Sequence, residues 1–150
     1  MTAQSWSAAL TDVDTAQKVF PLGAIRQEDN KDYKYVKFSG TNAIAAGDLV
    51  GYVTSGGATD GMTTVDGAVG VGPAGVAQAA VLTANGVQYG WIQIRGLCVA
   101  ASAIAGGASA GQTLKQGTYP AFTLQTAATI PNAGTLFDAT NKLVTLTCPN

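Results

Sequence analysis

A succession of short apolar runs, separated by Gly, Asn, Asp and Ser, constrains the fold of this chain more than any other feature of its sequence. Strands of about four to seven residues fit each run, whereas helices need longer periodic segments. Pairs such as Asp60-Gly61 and Asn85-Gly86 favour tight hairpin turns. The sequence therefore predicts an all-β fold, a small single-domain β-barrel or β-sandwich of short antiparallel strands. In chain order the runs are AIAAGDLVGYV, GAVGVGPAGVAQAAVL, QYGWIQIRGLCVAASAI, SAGQTLKQ, AFTL and KLVTLTC.

Helical alternatives have little support in the sequence. No segment shows the helical period that the crossovers of a parallel α/β sheet would need. Alanine in AQAAVLTA favours a helix, but each glycine nearby would cost about 1 kcal/mol in a helix interior. The length, 150 residues, fits one domain. We therefore expect an extended N-terminal arm at residues 1–20 and a β-rich domain at residues 21–150.

The first twenty residues show no firm periodicity. A short helix around residues 12–19 competes with an extended arm, and we favour an arm that orders on binding. Trp6 is predicted to anchor the arm on a neighbouring subunit, with the edge of the domain's own core as the alternative. Phe20 is predicted to lie at the edge of the domain's own core, with the anchor role as the alternative.

Charge is concentrated near the N-terminus. Of the 8 basic and 9 acidic residues, ten lie between Asp12 and Lys37, which leaves a nearly neutral body. Such a body is expected to meet other subunits or a particle surface. The net charge of −1 provides no basic field for nucleic acid. No apolar run suits a membrane span and the N-terminus lacks signal-peptide features, so the chain is expected to be made and kept in a cytosol.

Two stretches carry most of the aromatic residues. The polar EDNKD turn followed by YKYVKFSG predicts a hairpin in which Tyr33 and Tyr35 alternate with Lys34, and the lysines are interpreted as a solvated strand face. In YGWIQIRG the residues from Tyr89 to Arg95 alternate between two faces, with Trp91 on the aromatic one. A core or subunit contact is favoured there over stacking on a sugar. The residues predicted to form a partner interface are Trp6, Phe20, Tyr33, Tyr35, Tyr89, Trp91 and Arg95.

The residues that usually carry catalysis are scarce. The chain has no histidine, so Ser-His-Asp and Cys-His arrangements are excluded. The nearby carboxylate pairs, Glu28 with Asp29 and Asp60 with Asp66, lie in turn-like contexts and are interpreted as loop acids. GAVGVGPAG lacks the Lys-Ser/Thr of a phosphate loop. We predict no catalytic, cofactor-binding or metal site.

Two smaller features leave alternatives open. Cys98 and Cys148 fit no zinc or disulfide pattern and are predicted to be reduced, partly buried thiols, although a bridge could form in an extracellular particle. NAIAAGDLVGYV and SAIAGGASAGQTLKQ each place small residues and a glycine before a polar residue and a strand. This repeat indicates either an internal pseudo-symmetry or a bias of composition.

Three stretches of the sequence resemble the capsid decoration proteins of tailed bacteriophages. They are LGAIRQEDNKDYKYVKFSG, AIAAGDLVGYV and GVAQAAVLTANGVQYGWIQIRGLCVAASAIAGGASAGQTL, and the resemblance covers roughly residues 20–116. The shared features are a charged strand with paired tyrosines, an AGD turn before an apolar strand, a GVA strand, and a YGWIQ strand before AGxxL. The segment from Thr118 to Asn150 lies outside the resemblance.

The resemblance implies a structural virion protein that binds the outer surface of a phage capsid. It implies the major capsid protein as partner, a homotrimer at local threefold positions, and synthesis in the host cytoplasm. Because such a protein binds the expanded shell and not the immature one, it would stabilise the mature shell by bridging capsid subunits. The family has no catalytic residues to carry over.

Two other classes of function stay open. A host-surface or carbohydrate-binding adhesin or fibre module would engage its ligand through Trp6, Tyr89 and Trp91. A small enzyme would depend on carboxylates such as Glu28 and Asp60, and we predict that the chain is not an enzyme.

Overall fold

A computed structural model describes residues 9–15, 19–39, 43–55, 58–65, 72–81, 87–100, 104–105, 108–116, 122–124 and 132–148. These residues contain strands and turns but no helix, which confirms the prediction of a small all-β domain. Residues 12–15 and Val19 are not helical, so the alternative of a short helix is wrong for the described part of that segment. The domain boundary at residue 20 stays a prediction.

The described residues form eleven strands. They are β1 (Ile25–Glu28), β2 (Lys31–Ser39), β3 (Leu49–Ser55), β4 (Ala58–Val65), β5 (Pro73–Ala77), β6 (Gln88–Val99), β7 (Ile104–Ala105), β8 (Thr113–Gln116), β9 (Phe122–Leu124), β10 (Asn132–Asp138) and β11 (Leu143–Thr147). Their order in the sheet is β1-β2-β4-β3-β5-β6-β11-β10-β8-β9-β7, with an additional pairing of β2 and β6. Only β2–β4 and β7–β9 among these pairs are parallel. The sheet as a whole is not closed into a barrel.

The first hairpin forms where the EDNKD turn predicted it. Ile25 pairs with Lys34, and the pairing continues to Glu28 and Lys31. The two residues between the strands, Asp29 and Asn30, have φ of 51° and 61°. Asp and Asn tolerate this left-handed conformation better than most residues, and two such residues in succession are typical of a two-residue turn whose twist matches its strands.

Two equivalent sets of pairings organise the sheet. The first unit comprises β2 to β6, and its strands pair in a ring. Strand β2 pairs with β4, β4 with β3, β3 with β5, β5 with β6, and β6 again with β2. In the second unit, which comprises the end of β6 and strands β7 to β11, the pairs β7–β9, β9–β8, β8–β10 and β10–β11 end in β11–β6. The long strand β6 therefore belongs to both units.

The turn before β3 shows how each unit is fixed locally. The Ala45 N–H donates to Asp48 Oδ2 over 2.8 Å, and the Asp48 N–H donates back to the Ala45 carbonyl over 3.1 Å. Gly47 has φ of 90°, a conformation that glycine adopts without strain. Its N–H donates to the Ala77 carbonyl over 2.8 Å, and the Ala77 N–H donates to the Asp48 carbonyl over 2.9 Å. The turn is thereby fastened to β5.

The turn before β8 repeats this arrangement bond for bond. The Ser109 N–H donates to Gln112 Oε1 over 2.7 Å, and the Gln112 N–H donates to the Ser109 carbonyl over 3.2 Å. Gly111 has φ of 88°. Its N–H donates to the Leu136 carbonyl over 2.8 Å, and the Leu136 N–H donates to the Gln112 carbonyl over 2.9 Å. The repeat seen in the sequence is therefore a structural repeat, which a bias of composition would not produce.

In each unit, a glycine at the equivalent position lies against a backbone carbonyl group of the next strand. A Cβ on Gly75 of β5 would lie 2.5 Å from the Gln93 carbonyl oxygen of β6, and a Cβ on Gly134 of β10 would collide with the Thr145 carbonyl oxygen of β11. Neither position has room for a side chain. Close backbone approach of this kind is a positional role of glycine within a strand.

One apolar core runs through both units. It is formed by the sides of the strands that face inward, and most of its buried members are Val, Leu, Ile and Ala. The members with no exposed surface are Val36, Val50, Ala74, Val81, Ile92, Leu114, Ala133, Val144 and Leu146. A second, separate cluster lies on the opposite side of β2 and β6 and consists of Tyr33, Tyr35 and Trp91.

Candidate functional site

The aromatic cluster lies where β2 and β6 run side by side. Tyr35 is directly opposite Trp91, and Lys37 is opposite Tyr89. Because side chains alternate along a strand, the aromatic rings share the outer side of the pair while Ile92 faces the main core. The two faces predicted for YGWIQIRG are therefore present, and the long-range pairing brings the tyrosines of β2 onto the same face.

The N-terminal segment covers this cluster. Leu10, Phe20, Leu22 and Ala24 pack against it, and Tyr89 borders it. The Phe20 ring centroid lies 5.4 Å from that of Tyr35, in an edge-to-face arrangement, and 5.4 Å from that of Trp91. Aromatic pairs at such distances contribute about 0.5–1.5 kcal/mol beyond their burial. Leu10 and the residues from Phe20 to Ala24 therefore pack as part of the domain.

Tyr35 fastens the segment by its hydroxyl group. The Tyr35 hydroxyl donates to Asp14 Oδ2, and the Val19 N–H donates to the Tyr35 hydroxyl oxygen over 3.2 Å. Asp14 also pairs by its backbone with Tyr89, with N···O distances of 2.9 Å in both directions. Burial and the hydrogen bond to Asp14 raise the pKa of Tyr35 above its ordinary value of 10.0. The neutral phenol is therefore the form that the fold holds.

The residues predicted for a partner interface fall into different environments. Tyr33, Tyr35 and Trp91 are 5%, 1% and 2% exposed, so the N-terminal segment would have to move before these rings could meet a partner. Phe20 and Tyr89 are half-buried beside them. Trp6 lies outside the described residues. The role of these residues in an interface stays a prediction.

Arg95 lies apart from the aromatic rings. Its side chain is 76% exposed, and Nη1 is 3.8 Å from Asp32 Oδ2. It borders an open polar depression of about 480 Å³ that is otherwise formed by the β1–β2 hairpin from Gln27 to Asp32. Glu28 in this hairpin lies 2.6 Å from Arg26 Nη2. The contact of Arg95 with Asp32, at 3.8 Å and with the arginine side chain exposed, is of a kind that contributes little to stability.

The prediction that Lys34 lies on a solvated strand face is wrong. Lys34 is 7% exposed and shares the inward side of β2 with Val36 and Phe38. Its Nζ donates to the Tyr52 hydroxyl over 3.1 Å and lies 5.1 Å from the centre of the Tyr52 ring. The period of two indicated correctly that Lys34 and Tyr35 point to opposite sides. It did not indicate that both sides are covered, because that depends on distant parts of the chain.

The cysteines are both free and buried. Burial raises the pKa of Cys98 and of Cys148 from 9.0 to about 12, so neither thiol ionises near neutral pH. Thiolate is the reactive form of cysteine, so these thiols are held in an unreactive state. The carboxylates of Asp60 and Asp66 lie among side chains that the structure does not describe. Within the described ranges no three Cys, Asp or Glu side chains come together as metal ligands.

An exposed apolar face occupies the outer side of the second unit. Leu97 and Val99 of β6 are 42% and 62% exposed, and they pair with Thr145 and Leu143 of β11. On β10, Thr135 is exposed, Leu136 is buried and Phe137 is 65% exposed; the pairing with β11 shifts register at Phe137, so that Asp138 lies opposite Leu143. These three residues are half of the six large apolar side chains that are exposed in the described part of the chain. We call Leu97, Val99, Phe137, Leu143 and Thr145 the second-unit face.

The second-unit face is the counterpart of the aromatic face. Tyr33 lies opposite Gln93, which lies opposite Val76. In the second unit, Leu97 of β6 lies opposite Thr145 of β11, and Thr145 lies opposite Thr135 of β10. Leu97 therefore takes the place of Tyr33, and Val99, two residues further, takes the place of Tyr35. Sequence reasoning did not single out this face, although the repeat of the two turn motifs was a signal from which it could have been found.

Comparison of the chain with protein-family models, with curated proteins and with solved structures found no match. No helix in the described part of the chain is long and apolar enough to cross a membrane.

Proposed function

We propose that the chain is a structural virion protein that binds the outer surface of a phage capsid. Its partners would be the major capsid protein and further copies of itself in a homotrimer. The observation that carries the proposal is the exposed, uncharged second-unit face on a chain whose sequence resembles decoration proteins over residues 20–116. Large exposed apolar patches on small proteins are typical of surfaces that meet other proteins.

The proposed mechanism is mechanical stabilisation by differential binding. A protein that binds the mature shell and not the immature one shifts the equilibrium toward the mature form. At a free concentration one hundred times the dissociation constant, each occupied site contributes about 2.7 kcal/mol. Among the described strands, β1 and β7 lie at the two ends of the strand order, and a strand at the end of a sheet can accept a segment of a capsid subunit.

The alternative of a carbohydrate-binding module has less support. Trp91, the side chain best suited to stack on a sugar ring, is 2% exposed, and Tyr89 is half-buried beside it. A sugar would require an open aromatic surface. The alternative would gain support from glycan binding that is lost in a Tyr89→Ala variant which still folds.

Co-sedimentation with capsid shells tests the proposal. Purified protein would be mixed with mature shells that lack it and with immature shells, and the copies bound per shell would be counted. We expect saturable binding to mature shells alone, at a copy number that matches local threefold positions, and a higher disruption temperature of the decorated shells. A folded protein that binds neither kind of shell would contradict the proposal.

A further inference from the structure

We propose that β1 (Ile25–Glu28) pairs antiparallel with β1 of a second copy of the chain, about a twofold axis that passes between the two Gln27 residues. The contact continues one sheet across two molecules. It goes beyond the proposed function, because it joins copies of the chain through a strand edge and is tested without a capsid. Failure of this contact and failure of capsid binding can therefore be told apart.

The outer edge of β1 is open to such a partner. Strand β1 lies at one end of the strand order, and β2 is its one pairing partner among the described strands. Ile25, Gln27 and Glu28 are exposed, and Arg26 is half-buried. Gln27 and Glu28 also border the open polar depression of about 480 Å³. An exposed strand edge presents N–H and C=O groups that a second strand can satisfy.

The backbone of β1 determines which residues bond at this edge. In an antiparallel pair, successive residues direct their N–H and C=O groups to opposite sides of the strand. The Ala24 carbonyl accepts from the Tyr35 N–H of β2 over 2.9 Å. Arg26, two residues further, therefore also bonds toward β2, and Gln27 directs its N–H and C=O groups to the outer edge. A twofold axis at Gln27 lets the two copies of this residue exchange a pair of backbone hydrogen bonds.

Charge complementarity identifies a copy of β1 as the partner strand. With the axis at Gln27, Arg26 of each copy lies opposite Glu28 of the other. These are non-hydrogen-bonded pairs, in which the side chains of two strands approach most closely. The two residues share one side of β1, where Arg26 Nη2 lies 2.6 Å from Glu28 Oε2. Opposite charges across two strands stabilise their pairing, and like charges oppose it.

The same charges select one register. The outward backbone groups of the two strands meet when the axis passes through a residue of β1, and each shift of the axis by one residue gives a new register. An axis at residue 26 would place Arg26 opposite Arg26, and an axis at residue 28 would place Glu28 opposite Glu28. The axis at Gln27 alone among these three pairs each arginine with a glutamate. The sequence IRQE is thus complementary to itself at its centre.

The contact is small, so it depends strongly on concentration. A few hydrogen bonds and exposed ion pairs give a weak association in dilute solution. Copies held side by side on one surface meet at a much higher effective concentration. A twofold contact uses the same patch on both molecules and leaves other surfaces free for a threefold contact. On a shell it would join one homotrimer to the next, a consequence that rests on the proposed function.

Disulfide trapping detects the contact even when it is weak. Gln27→Cys places two thiols opposite each other across the axis, with Cα atoms about 5.5 Å apart, a distance that suits a disulfide. Ile25→Cys is the matched control, because it lies on the same face of β1 and is exposed, but its two copies would be about 14 Å apart. Cys98 and Cys148 are buried and do not compete. Under mild oxidation we expect Gln27→Cys to form covalent dimers about tenfold faster than Ile25→Cys.

Charge exchange then tests the register. Added to Gln27→Cys, either Arg26→Glu or Glu28→Arg brings like charges together and should slow dimer formation roughly fivefold or more. An equal mixture of these two variants restores opposite charges, so we expect heterodimers to form at the original rate. The variant that carries both substitutions should again form homodimers.

Folding controls keep the result decisive. The Arg26 side chain is 12% exposed, so Arg26→Glu is the substitution that could disturb the fold, and each variant must unfold at the wild-type temperature. If Arg26→Glu does not, Glu28→Gln and Glu28→Arg should slow dimer formation in that order, because the Glu28 side chain is 43% exposed. Equal rates for Gln27→Cys and Ile25→Cys, or rates that do not respond to charge, would overturn the inference and leave the edge of β1 to a capsid segment.

Discussion

At the scale of single residues, Tyr35 connects the N-terminal segment to the sheet. Its hydroxyl donates to Asp14 and accepts from the Val19 N–H, while its ring contacts Phe20 and Trp91. A buried aromatic ring with a satisfied polar end gives both burial and orientation. Sequence reasoning placed Phe20 at the edge of the core, and its ring packs beside Tyr35 and Trp91. It could not identify Asp14, whose partner is 21 positions away.

Tyr35→Phe should lower the free energy of unfolding by about 1–3 kcal/mol at pH 7, because Asp14 and the Val19 N–H lose their partner. The raised pKa of Tyr35 adds a dependence on pH. Since the neutral phenol is favoured in the folded state, its contribution is complete below pH 10 and is lost as the pH rises above 10. The wild-type advantage over the variant should therefore shrink in urea unfolding measured above pH 10.

Asp14→Asn and the double variant complete a cycle that isolates the pair. We expect a coupling energy of about 0.5–3 kcal/mol between the two positions. Additive effects of the two substitutions would show that the hydrogen bond contributes nothing to stability.

At the scale of secondary structure, the strands and the first hairpin were predictable because their signals are local. A period of two and a turn of Asp29-Asn30 act within a few residues of one another. The pairing of β6 with β2, β5 and β11 has no such local signal. The contact of Lys34 with Tyr52 and the cover of Leu10 and Phe20 over Trp91 likewise join distant parts of the chain, so the sequence alone could not reveal them.

The glycines of β5 and β10 give a prediction for this scale. Gly75→Ala and Gly134→Ala should each destabilise the protein by roughly 1–3 kcal/mol, because the added methyl group meets a backbone oxygen of the next strand. Thr135→Ala, at an exposed neighbouring position, should change stability by less than about 0.5 kcal/mol. Chemical denaturation of the three variants measures the difference. Equal stability of all three would mean that the strands do not approach closely at these glycines.

At the scale of the whole molecule, part of the segment predicted to be an N-terminal arm packs on the sheet. Leu10 and Phe20 pack on the aromatic cluster, and Asp14 pairs with Tyr89. These contacts are long-range, so the sequence, which shows no period in this segment, could not reveal them.

Two truncations test this packing. Deletion of residues 1–8 should leave the thermal unfolding of the dilute protein unchanged. Deletion of residues 1–20 removes the cover from Tyr35 and Trp91, at a cost of roughly 2–4 kcal/mol for the lost burial of Leu10 and Phe20. The midpoint should fall by about 5–15 °C in a domain of this size. A longer truncation that melts like the wild type would show that the segment rests on the sheet without stabilising it.

The position of β6 in both units implies an order of events during synthesis. Every strand that pairs within the first unit has left the ribosome once Val99 has emerged, whereas β11 needs β6 as its neighbour. The first unit can therefore close early and present the end of β6 as a template for the rest. We expect protease protection of the first unit in chains stalled well beyond residue 100, before β11 is exposed. Protection only in the full-length chain would show that the two units form together.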